Sequence, residues 1–182
     1  MRSSSSLIDN HATNKRRKPL RAELWDYSQP AIYHITICVQ DRESRFGVCH
    51  DSLMDLSAAG LMVEEELLAL PDRFPEVGID TYVIMPNHIH FLIEMNLRRK
   101  EAGGLDLSRP IQAFKSLTTR RYSQGVREQG WPQYDGILWQ KRYYETIMRN
   151  DKWLARHREY LLNNPAQWAD DPERFHKDSS IS

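Results

Sequence analysis

Apolar and polar positions alternate with a period of two in three stretches of the chain. From Ile32 to Val39, Tyr33, Ile35, Ile37 and Val39 fall on one side and His34, Thr36 and Cys38 on the other. That pattern predicts a strand with one face on a core. A second strand is expected over about Gly78 to Met85, stopped by Pro86-Asn87, a turn signal. The third runs from His88 to Met95. Ile89, Phe91 and Ile93 point one way, and His88, His90, Leu92 and Glu94 the other. The short segment Tyr143 to Met148 predicts a fourth strand.

Helical spacing fills the gaps. After a loop containing Asp41, Arg42, Glu43 and Gly47, Ser57 reads as the N-cap of a helix to about Ala69, closed off by Pro71 and Pro75. Ser108, with Pro110 in the first turn, starts a second helix carrying Ile111, Phe114, Leu117 and Arg121. Asn150 or Asp151 caps a last helix that ends before Pro165. The order strand, helix, strand, strand, helix, strand, helix predicts an α+β fold. It is a ferredoxin-like (split βαβ) antiparallel sheet with helices on one face, plus a C-terminal helix. The opposite sheet face is then free to hold a site.

Composition adds limits. A chain of 182 residues with 40% hydrophobic content suits one domain with a core. We place it at residues 15–171, between a Ser-rich, polar stretch (1–14) expected to be disordered and a loosely held polar tail (172–182). Lys+Arg and Asp+Glu both number 25, so only local patches argue for nucleic acid. The basic arm Lys15, Arg16, Arg17, Lys18 and Arg21 is one such patch. Lys115, Arg120 and Arg149, with Arg121, Lys141 and Arg142, are others. Each also reads as a solvated surface. Trp139 and Tyr143 suit the core better than base stacking. Cys38 and Cys49 form no CxxC pair, and no secretory h-region or membrane-length apolar run is visible. A soluble, cytoplasmic protein without membrane contact is expected.

Two constellations carry chemistry. His88 and His90 lie two apart on a strand, so both imidazoles can approach one metal ion from the non-core face. A chance pair on a solvated face would look the same. On the last helix, Trp153, His157, Tyr160 and Asn164 are spaced four, three and four residues apart and share a face. Tyr160 with a hard oxygen donor one turn later suits a Mg2+ or Mn2+ site. A tyrosine packed on the sheet and an asparagine ending the helix fit the same spacing.

Five ordered stretches resolve these alternatives: Tyr33 to Cys38, Tyr82 to His90, Ile111 to Ser116, Trp139 to Tyr144 and Glu159 to Pro165. Together they resemble the HUH-type single-tyrosine transposases of the insertion-sequence-200 class, and within it the REP-associated tyrosine transposases. The resemblance spans about Lys15 to Asp171. It implies that His88 and His90 bind a divalent metal (Mg2+ or Mn2+), that Tyr160 is the nucleophile and that Asn164 completes the metal site. It also implies cleavage and strand transfer of single-stranded DNA at hairpins, through a 5′-phosphotyrosine link and a free 3′-OH. The ferredoxin-like core of this class is often a homodimer, with the final helix supplied in cis or in trans.

Two departures stand out. Thr146 occupies a place where many relatives have histidine, and the C-terminal region reads Asp171-Pro172-Glu173-Arg174 in place of an Asp-x-x-Asn ending. Two further readings differ in chemistry: a module binding hairpin DNA or structured RNA with vestigial chemistry, and a metal-dependent phosphodiesterase that uses water.

Overall fold

The structure is a computed structural model, described here for residues 31–96 and 106–173. The basic arm from Lys15 to Arg21, the expected disordered N-terminus and the Arg98–Gly104 loop lie outside the described residues.

Four strands form the main sheet: β1 (Ala31–Cys38), β4 (Val77–Met85), β5 (His88–Met95) and β6 (Tyr144–Ile147). Their order is β4-β5-β1-β6, antiparallel throughout. This is the split βαβ arrangement expected from the element order. Helices α1 (Ala58–Leu68) and α3 (Ser108–Gln129) belong to the face formed by Ile35, Ile37, Ile89, Phe91 and Ile93, which are fully buried. Trp139 belongs to this core, its Nε1 donating to Thr118 Oγ1 at 2.8 Å. Ser57 caps α1 by accepting from Gly60 N. A short helix α2 (Leu70–Arg73) follows, with Pro71 in its first turn rather than acting as a stop.

The remaining helix, α4 (Asp151–Asn163), covers the other sheet face. Asn150 caps it, accepting from Trp153 N at 2.9 Å. Leu161, fully buried, packs with Leu92 and Met148, and a six-residue 3-10 turn (Pro165–Asp170) continues the chain. The second face is therefore covered rather than free.

Three expectations need correction. The Asp41–Leu56 region is not all loop, because β2 (Gly47–His50) and β3 (Leu53–Leu56) form a hairpin. Its turn residues Asp51 and Ser52 both have positive φ (48° and 66°), a geometry usually signalled by glycine or asparagine. Ser108 does not cap α3. Asp106 accepts from Ser108 N at 2.9 Å and from its hydroxyl at 2.6 Å. Finally, the chain beyond Asp170 is not loosely held up to residue 173. Asp171 is buried, and Glu173 pairs with Arg42 while its main-chain carbonyl accepts from Asn87 Nδ2 at 3.1 Å.

Candidate active site

The period-two pattern of β1 and β5 sets the site. Register pairs Thr36 with His90 and Cys38 with His88, so these side chains share the face under α4. His88 and His90 are 0% and 3% exposed, with ring centroids 4.6 Å apart.

Hydrogen bonds fix the orientation of both rings. Asn87 Nδ2 donates to the carbonyls of Arg42 and Glu173, at 2.9 and 3.1 Å, which turns Asn87 Oδ1 toward His88 Nδ1 at 2.8 Å. An amide oxygen only accepts, so His88 Nδ1 carries the hydrogen and Nε2 keeps its lone pair. His90 Nδ1 lies 2.7 Å from Thr36 Oγ1, a partner that can accept the same kind of N–H. Both Nε2 atoms are buried with no hydrogen-bond partner among the described residues.

Asp171 closes this arrangement. Its carboxylate, with one ligand atom from each histidine, forms a cluster within 4.8 Å, and His88 Nε2 to Asp171 Oδ2 is 3.6 Å. Burial, then the charge of Arg42, pushes the His88 pKa down to about 3, so the ring is neutral at pH 7. Burial, then His88 and His34, also lowers His90. Two buried Nε2 atoms, that of His88 with its lone pair free, thus face the Asp171 carboxyl group. A divalent cation satisfies all three, and the N–H partners behind the rings are the support such ligands use.

Asn164 Oδ1 is a further buried oxygen without a partner. Burial raises the pKa of Tyr160 and of Asp171, and the Asn164 amide, bonded to both, opposes part of that rise. The expected Asn164 thus lies with the cluster and ends α4 as well. Asp171 was not singled out from sequence. Its one trace there is the departure from the Asp-x-x-Asn ending.

Tyr160 is half-buried, its ring centroid 5.7 Å from that of His90. Burial, then Asp171, raises its hydroxyl pKa, so the free phenol is protonated at pH 7. His34 and His157 complete the group. Their rings are 5.2 Å apart, and both line a cleft of about 420 Å³ with Thr36, His90, Arg156 and Tyr160. Burial, then His157, brings His34 down to about 4. The rings of His90 and Tyr160 meet within one chain in this structure.

Lys115, Arg120, Arg121 and Arg149 do not line this cleft. Lys115 donates to the carbonyls of Gln140 and Lys141, at 2.6 and 3.2 Å, and is spent on holding that loop. Arg121 pairs with Glu65 and Glu66 on α1. Arg120 and Arg149 are exposed.

A ferredoxin-like sheet bearing an oriented histidine pair under a tyrosine helix defines the class. The family model "Transposase IS200 like" matches residues 27–164, and the chain belongs to this family. It is 34% identical to an uncharacterised protein of Haemophilus influenzae, over 85% of this chain and 91% of that one. It is 26% identical to another protein of that organism, provisionally named a REP-associated tyrosine transposase, over 78% of this chain and 74% of that one. Among solved structures, it resembles a REP-associated tyrosine transposase bound to a REP hairpin, with a TM-score of 0.54 and 20% identity over 78% of this chain and 74% of that one. A protein of Deinococcus radiodurans, described as a candidate transposase, gives 0.50 and 15% over 74% and 91%. Among the described residues, no helix is long and apolar enough to cross a membrane.

Proposed function

We propose that this protein cleaves and rejoins single-stranded DNA at hairpin, REP-type sites, using Tyr160 as nucleophile beside a divalent metal held by His88, His90, Asp171 and Asn164. The observation that carries this reading is Tyr160 poised over a cluster of buried, unpartnered ligand atoms. The hairpin-bound structural neighbour supports the substrate class.

Tyr160 Oη gives up its proton and attacks phosphorus as the P–O3′ bond breaks. The electron pair leaves on the 3′ oxygen, which takes up a proton, and the 5′ phosphate becomes a tyrosine ester. The ester keeps a phosphodiester linkage, so a later 3′-OH reseals the strand without ATP. Mg2+ or Mn2+ at the site supplies Lewis-acid polarisation of the phosphate. His88, His90 and Asp171 would hold the ion, and α4 carries Tyr160 beside them. Arg120, Arg149 and the Lys15–Arg21 arm are our candidates for backbone contacts along the DNA.

The test is incubation with labelled hairpin DNA from beside the gene, with Mg2+ or Mn2+, read on a denaturing gel. A protease-sensitive shifted band, absent with Tyr160→Phe, is the expected result. Nicking without an adduct would replace tyrosine by water as nucleophile. Tight binding to uncut DNA would leave a binding module.

A further inference from the structure

Five buried side-chain atoms among the described residues lack a hydrogen-bond partner: His34 Nε2, Glu66 Oε2, His88 Nε2, His90 Nε2 and Asn164 Oδ1. Such atoms are costly, and each calls for an explanation. Glu66 Oε2 has one, since Arg73 Nη1 is 2.9 Å away in an ion pair. His88, His90 and Asn164 have another in the ligand set around Asp171. His34 Nε2 has neither.

The surroundings of His34 narrow its role. It projects from β1 on the same face as Thr36, in register with Leu92 on β5 and Thr146 on β6. Its ring centroid lies 5.2 Å from His90 and 6.1 Å from Tyr160. It also lines the 420 Å³ cleft, whose wall contains Tyr160 and the cationic Arg156. A group attacked by Tyr160 while resting on the His88–His90 site must sit against this wall.

Resting on the proposed reaction, we infer that His34 is a further catalytic residue. Its imidazole N–H donates to a non-bridging oxygen of the phosphate that Tyr160 attacks, with Arg156 beside it at the cleft wall. A neutral imidazole always carries one N–H, so the contact requires no change in its charge. Negative charge on that oxygen grows as the phosphorus is attacked, and a fixed donor there stabilises the transition state more than the ground state.

The test compares His34→Leu and His34→Gln in the full-length protein, loaded with Mn2+ and given the labelled hairpin DNA. Loss of one such donor costs on the order of 100-fold in rate. Adduct formation at saturating DNA should fall by about that factor in His34→Leu and recover in part in His34→Gln, which restores an N–H donor. Mn2+ affinity should stay within about two-fold in both, separating loss of the donor from damage to the neighbouring His90. An unchanged adduct rate in His34→Leu, or a rate loss matched by loss of Mn2+ binding, overturns the inference while leaving Tyr160 as nucleophile. A second measurement is independent of chemistry. In Mg2+-loaded Tyr160→Phe protein, the His34 imidazole ¹⁵N resonance should move when the oligonucleotide is added. A resonance that stays still overturns the inference even if the wild-type protein never forms an adduct.

Discussion

The two faces of the sheet are both covered by helices, yet they bury side chains of opposite kinds. Beneath α1 and α3, Ile35, Ile37, Ile89, Phe91 and Ile93 bury carbon against carbon, and every contact favours folding. Beneath α4, β5 buries His88 and His90, each with an Nε2 that has no hydrogen-bond partner among the described residues. Burial there works against stability and holds the rings in one orientation. Along β5 the neighbours Ile89 and His90 differ by one position in sequence and by the whole logic of their burial. One face supplies rigidity, and the other spends some of it on a site.

Substitutions can break this contrast. Phe91→Ala should lower stability by about 3–5 kcal/mol, measured as a shift in the urea midpoint, because the packed face cannot refill the void. His88→Leu with His90→Leu should cost less than burial alone suggests. Removing two unpartnered Nε2 atoms offsets the loss of the Nδ1 bonds to Asn87 and Thr36, so metal-free stability should change little. The gain on adding Mn2+, about 2.7 kcal/mol at a hundred times the dissociation constant, should vanish from thermal melts.

Acid sharpens the comparison on one face only. Folded His34 and His88 titrate at about 4 and about 3, below the ordinary 6.5, and His90 is lowered as well. Below pH 6.5 the unfolded chain therefore binds more protons than the folded one. The stability of metal-free protein should be complete above pH 6.5 and fall as pH drops toward 4. Each buried histidine contributes a slope of about 1.4 kcal/mol per pH unit. Urea titrations at stepped pH measure this, and a flat profile would show these rings to be solvated. The smallest effect is Asn150→Ala, which removes the cap of α4 and should cost about 1 kcal/mol. Hydrogen exchange should report it in α4 rather than in β5.

Much of this contrast was legible in the chain. The alternation of Ile89, Phe91 and Ile93 with His88 and His90 is a local property of a strand, and the predicted bounds of β5 match the observed ones. Helical spacing put Tyr160 and Asn164 on one face of α4, but only the family resemblance set them apart from a packed tyrosine and a helix-ending asparagine. Asp171 was not, because it follows a 3-10 turn, in extended backbone with no period to announce it. Only the folded chain brings it to His88. The β2–β3 hairpin was hidden for another reason. Its strands have four residues each, and its turn places Asp51 and Ser52 where glycine or asparagine would have signalled a reversal.

The meeting of His90 and Tyr160 within one chain also bears on how activity scales with concentration. A centre assembled between two copies appears with the square of concentration at high dilution and fades as copies separate. A centre assembled by one folding event persists at any dilution, in proportion to the number of folded chains. Activity strictly proportional to protein concentration on serial dilution would mark the second kind.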